Sequence, residues 1–271
     1  MPENSLLSID KIQTSKKKPL VSAFEKSIAI IVFVLLWEAL PDLGLVDPFL
    51  LPPFSAVVES LVKLSVTGEM FRHIGSSLQR SGIGFLVAVI FSVFTGFIMG
   101  WYKRVERIME LVLEAGRNTS TLALYPVFIL IFGLGELSKV AIIVWGATWP
   151  TLLNTINGVK NVDPQLVKLA RSMGISKPGL FFKVLFPMAL PSIVAGLRLS
   201  AATALLILVA SEMLGANRGL GFMIFYYQER YAIPEMYGGI ITIAVIGAIV
   251  NFLLVRLERR VTFWKEKPIK A

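Results

Sequence analysis

The chain has 271 residues, 55% of them hydrophobic and only 17% charged, with a net charge of +9. A water-soluble domain carries about a quarter charged residues, so this composition excludes an ordinary soluble fold and points to an integral membrane protein. The lack of cysteine removes disulfides and thiolate metal sites, the single histidine, His73, removes histidine metal clusters, and no zinc-finger, RNA-binding or basic-zipper pattern supports nucleic-acid binding.

From the N-terminus, Met1 to Leu20 is polar and carries Lys16, Lys17 and Lys18. No small-residue cleavage site follows the apolar run that begins near Ile28, so Ser27 to about Val46 reads as an uncleaved first span. Pro48 to Arg80 is too polar to cross a membrane. Val57, Val58, Leu61 and Leu64 share a helical face, as do Phe71, Ile74 and Leu78, which predicts helices lying at the outer interface. Gly82 to Trp101 contains no charge and is the clearest span of about twenty residues. Met109 to Phe132 is read as the third span, interrupted by Glu114 and Arg117, and Leu137 to Val159 as the fourth.

A polar, basic segment from Asp163 to Pro191 follows. Asp163 with Pro164 starts a helix, Gly174 can end it, and Ser176 with Pro178 can begin another. Ala189 to Met213, carrying Arg198, is the fifth span and Tyr237 to Leu257 the last. Between them, the glycines and aromatic run of Gly215 to Ile233 cannot cross the bilayer and suggest a re-entrant or interfacial element. The expectation is an all-α integral membrane protein with six transmembrane helices and both termini in the cytoplasm. Residues 1–26 form one cytoplasmic tail, 27–257 the membrane domain with a cytoplasmic loop at 160–188, and 258–271 the other tail. With that topology the cytoplasmic segments hold nineteen of the 27 lysines and arginines and the external segments six, as the positive-inside rule requires.

Ionisable groups at membrane depth are costly and are usually paired or functional. Glu114 and Arg117 stand three apart on one helix and can pair; Arg198 can extend its stem toward the cytoplasmic side; Glu212 can brace the glycine-rich turn. A path for a polar solute should be lined by small polar side chains and a few aromatics. The candidates are Asn118, Thr119, Ser120, Thr121, Trp145, Thr148, Trp149, Asn154, Ser200 and Thr203. Gly96 and Gly100 form a GxxxG suited to close helix packing. No GxxxxGK[ST] or GxSxG is present, which predicts no enzyme activity, no catalytic residue and no metal site in this chain.

Lys168-Leu169-Ala170, then Gly174, then nine residues, then Val184-Leu185-Phe186-Pro187 resembles the EAA loop of binding-protein-dependent ABC permeases. Lys168 and Leu169 depart from that family's usual glutamate and first alanine. Leu51-Pro52-Pro53, the run Phe132 to Lys139, Asn154-Thr155, Gly196-Leu197-Arg198, Glu212-Met213 and Gly219-Leu220-Gly221 are similar to the nitrate/sulfonate/taurine/bicarbonate branch. The resemblance implies an ABC importer type I permease fold in a prokaryotic inner membrane, working as a homodimeric or pseudo-symmetric permease pair. The partners it implies are cytoplasmic ABC ATPase subunits, which bind ATP and Mg, and an extracytoplasmic solute-binding protein. Lys168, Leu169, Ala170, Arg171, Met173, Gly174 and Pro187 would then couple the chain to its ATPase, and the cargo would be a small anion. Import of riboflavin or a pyrimidine vitamin precursor by the same machinery, and an ion-gradient-driven secondary transporter, are the alternatives.

Overall fold

The computed structural model describes residues 19–262, and all of its regular structure is helical. Lys16 to Lys18 and the lysines near the C-terminus, on which the expected cytoplasmic tails rest, lie outside those residues.

Of the described residues, those up to Val58 form one compact unit and those from Glu59 onward another. In the first, helix α1 spans Pro19–Asp42. Its Trp37 indole donates to the Pro52 carbonyl at 3.0 Å, and its Glu38 carboxylate accepts from the Ser55 amide and hydroxyl at 2.9 and 2.7 Å. Glu38 thereby caps the start of α2, Phe54–Val66, supplying the acceptor that a helix N-terminus lacks.

The second unit is built around three long helices. α3 runs from Glu69 to Trp101, α6 from Glu136 to Lys160, and α9 from Phe186 to Met213. Small residues let them approach closely, because lipid offers no hydrophobic drive for association. A Cβ on Gly84 would strike Ile143, one on Gly96 would strike Thr155, and one on Gly100 would strike Val159. The GxxxG of Gly96 and Gly100 is therefore used inside one subunit, against α6. Ala88, Ile142, Ile143, Ala147, Ala204, Ile207, Leu208 and Tyr125 fill the core between the helices. Outside it, Leu86, Ile90 and Phe94 make an exposed apolar stripe along α3.

Three expectations are corrected. Met109 to Phe132 is not one continuous helix. It divides into the strongly amphipathic α4, Lys103–Asn118, and the apolar α5, Thr121–Phe132. Thr119 is extended, and Ser120 caps α5 by accepting from the Ala123 amide. A run of asparagine, threonine and serine competes for backbone hydrogen bonds and favours a cap over a helix interior. The segment Phe71 to Leu78 is not a separate helix, since α3 begins at Glu69 and carries it into the same helix as Gly82 to Trp101. The fifth helix likewise starts far before Ala189, because Lys177 to Met213 is one 37-residue element.

α10, Leu220–Glu229, occupies the glycine-aromatic segment, and α11 runs from Ile233 to Val261. By length and composition, α3, the Lys177–Met213 element and α11 are long and apolar enough to cross a membrane.

Candidate functional site

The segment between α6 and α9 is set by its caps. Asp163 accepts from the Gln165 amide at 2.8 Å and Pro164 opens α7, Pro164–Ser172. At the other end the Gly174 amide bonds to the Arg171 carbonyl and the Ile175 amide to the Ala170 carbonyl, with Gly174 at φ +72°. This is a Schellman motif with glycine in the left-handed position. Ser176 then caps α8, Lys177–Leu180, which passes through a π-turn at Phe181–Leu185 into α9.

Lys168, Leu169, Ala170, Arg171, Met173 and Gly174 thus sit together on one helix and its turn. Pro187 is apart from them, half-buried in the first turn of α9. Ala170 is buried and anchors the helix. Leu169 and Met173 are 58% and 71% exposed, and Leu166 and Phe182 are exposed as well. Leu166 and Phe182 were not among the expected residues, although the spacing Leu166, Leu169, Met173 follows a helical face. A short helix with charged flanks and an open apolar face is able to seat in a partner's groove.

The candidate path residues divide. Trp145, Thr148 and Trp149 line an apolar cavity of about 960 Å³ between α3, α4, α5 and α6. The two indoles pack edge to face with centroids 5.1 Å apart, and both of their Nε1 atoms are buried without a hydrogen-bond partner. Asn118 and Thr119 are exposed at the α4–α5 break, and Thr121 lies over Gly146 of α6. Asn154 donates to the Pro150 carbonyl, Thr203 to the Leu199 carbonyl, and the fully buried Ser200 to the Ala147 carbonyl while meeting the Thr151 hydroxyl at 2.7 Å. Ser200 ties α9 to α6 and faces no space in this arrangement.

Glu114 and Arg117 are both exposed on α4, and among the described residues no ion pair joins them. Arg198 donates from Nε to Asn251 at 2.8 Å, with Glu258 4.0 Å from its guanidinium.

Glu212 has the most elaborate surroundings. It is fully buried and accepts from the Ser77 hydroxyl, from Arg80 at 2.7 Å and from the Gly221 amide at 2.9 Å. It therefore does hold the glycine-rich turn. Arg80, 5% exposed, also donates to both oxygens of Glu136 and to the Arg218 carbonyl. One guanidinium joins α3, α6, α9 and the turn, with its charge met by two carboxylates. Sequence reasoning left Arg80, Glu136, Ser77 and His73 out. No local pattern pairs residues 56 or 132 positions apart. Nearby, the Tyr227 hydroxyl donates to Glu69 at 2.9 Å. Burial first, and then that bond and the charge of Glu69, push the Tyr227 phenol well above its ordinary pKa, so it stays a donor.

Comparisons with known proteins bear on this arrangement. A family described as "Binding-protein-dependent transport system inner membrane component" matches residues 88–263. The chain is 34% identical to the putative aliphatic sulfonates transport permease protein SsuC of Bacillus subtilis, over 86% of this chain and 85% of that protein. It is 32% identical to the taurine transport system permease protein TauC of Escherichia coli, over 96% and 98% of the two chains. It is 29% identical to the formylaminopyrimidine transport permease protein ThiX of Halalkalibacterium halodurans, over 90% and 97%. Among solved structures, an inward-facing form of the MetNI methionine ABC transporter superposes with a TM-score of 0.65 at 18% identity, covering 73% of this chain and 98% of that one. That last likeness is one of fold.

Proposed function

We propose that this chain, which belongs to the family of binding-protein-dependent transport system inner membrane components, moves a small organic anion of the sulfonate class across the membrane. Membership makes it the permease subunit of an ABC importer, a transport component rather than a catalytic one. The finer reading is that an extracytoplasmic binding protein delivers the anion and that ATP, with Mg, is hydrolysed by separate cytoplasmic subunits. Two copies of the permease enclose the path.

One observation carries the coupling part of this reading. The α7 helix is fixed at both ends by side-chain and backbone caps, yet it holds Leu169 and Met173 open. Exposed apolar residues on a firmly built helix suit docking to a cytoplasmic partner. Closure of the ATPases would move α7 and, through α8 and the π-turn, the base of α9. Lys168 stands where the family usually has glutamate, so docking here relies on the apolar face and the turn.

The test is purification of the tagged chain from native membranes, followed by ATPase assay in lipid. Recovery of an ATPase stimulated by a sulfonate-loaded binding protein is the expected result. A preparation that holds no ATPase under gentle conditions overturns the proposal. The ThiX relative supports a second reading, import of a formylated pyrimidine by the same machinery. Stimulation by that ligand and not by sulfonates would select it.

A further inference from the structure

Between the end of α3 and the π-turn that leads into α9 lies a groove of about 500 Å³ lined by apolar side chains alone. Residues between Val89 and Ile98 of α3 form one side, and Phe181, Phe182 and Phe186 the other. Phe97, 7% exposed, is the floor. Phe181 meets it edge to face with centroids 4.9 Å apart, and Phe186 stacks on it at 5.8 Å. In an α-helix, residues five apart point about 140° away from each other. The π-turn, in which the Phe186 amide reaches the Phe181 carbonyl, brings both rings onto Phe97. Phe182, 69% exposed, packs edge to face on Phe181 at 5.0 Å and is the open lip.

The groove has the length and the charge of one leaflet's lipid. From Val89 to Ile98 it extends about 14 Å along α3, close to half of the roughly 30 Å hydrocarbon core. Its lower end lies beside the last turn of α3, which stops at Trp101. Between Asp163 and Glu212 the chain has no acidic residue, while Lys168, Arg171, Lys177 and Lys183 precede the apolar part of α9. Lys177 and Lys183 bracket Phe181 and Phe182, and both are exposed. Among the described residues, neither has a carboxylate partner. A polar solute finds no hydrogen-bonding group in such a groove, and a neutral lipid leaves the two lysines unmatched. Basic residues beside a groove between helices on the cytoplasmic side suit an anionic headgroup.

We infer that the groove holds an anionic phospholipid of the cytoplasmic leaflet, one acyl chain along Phe97 and its phosphate against Lys177 and Lys183. The inference rests on the proposed orientation, with α7 in the cytoplasm. The lipid then ties α3 to the segment that links α7 to α9.

The test uses the complete transporter in phosphatidylcholine nanodiscs doped with a photoreactive phospholipid that carries a diazirine in its acyl chain. The probe has either a phosphatidylglycerol or a phosphatidylcholine headgroup, and mass spectrometry maps the labelled residues. Phosphatidylglycerol is expected to label the stretch Phe181 to Phe186 about tenfold or more above phosphatidylcholine, since each lysine adds to the attraction. Lys177→Gln with Lys183→Gln should erase that preference. Lys177→Arg with Lys183→Arg should keep it, which separates lost charge from lost folding. Equal labelling by the two headgroups, or a preference that survives both glutamines, overturns the inference. So does a disulfide between Phe182→Cys and a cysteine placed on α1, which marks the groove as covered by protein. The readout needs neither ATP nor cargo, so its failure leaves the transport proposal standing.

Discussion

A valine at position 174 would have to adopt φ +72°, where a β-branched side chain crowds its own backbone. The cost is about 1–2 kcal/mol at least, and it falls on the hydrogen bonds that close α7. Gly174→Val is expected to depress ATP-driven uptake several-fold while membrane insertion stays normal, read by transport in vesicles beside quantitative blotting. Uptake at the wild-type rate would show that the turn is not needed for coupling. At the other end of the bundle, Arg80→Met leaves Glu212 buried with a charge that no guanidinium meets. Removing one partner of a buried pair costs about 3–5 kcal/mol, and neutralising both costs much less. Arg80→Met should therefore unfold in detergent well below the wild type, and Arg80→Met with Glu212→Gln should regain part of the difference. A double variant less stable than the single one would refute this account of the network.

At the scale of elements, helix α7 and the α3–α6 contact make separable predictions. Leu169→Asp places a charge on the open face of α7 without touching the buried Ala170. The expected outcome is loss of the co-purifying ATPase with an unchanged melting temperature, because the side chain makes little contact within this chain. Retention of the ATPase would remove α7 from the docking surface. In α3, Gly96→Leu should have the opposite signature. Its side chain would drive into Thr155, forcing α3 from α6 and lowering the yield of monodisperse protein. Helix-scale features were the ones most readable in the sequence. The caps at Asp163 and Ser176, the glycine stop at 174 and the uncharged core of α3 all announced themselves through local chemistry. The break at Thr119 was an exception among elements, as were the early starts of α3 and of the Lys177–Met213 helix. The polar run at the break was seen, but a count of apolar residues bridges a gap of two.

For the whole molecule, the chain's lack of cysteine makes topology directly measurable. Met173→Cys should react with an impermeant maleimide only from the cytoplasmic side, and Arg218→Cys only from outside. Labelling of both from one side would contradict the charge-based orientation. The distribution of basic residues carried that orientation, since it depends on counts along the chain. The network of Arg80, Glu136 and Glu212 was not legible, because each residue acquires its role only when α3, α6 and α9 meet. His73 was seen only as a histidine too solitary for a metal site, and it proved to fasten the turn after α9.

The element from Lys177 to Met213 is, at about 1.5 Å per residue, a strut of roughly 55 Å. Its foot is the stretch next to α7, and its head carries Glu212, which grips the turn bearing Arg218. Any thrust applied to the foot has a continuous helical member along which to reach the head. On the proposed function, a motor below and a latch above would be two ends of one part. On this geometry, loosening the latch should lower the work needed at the foot, so variants at Arg80 and Glu212 should alter how much ATP is spent per molecule moved.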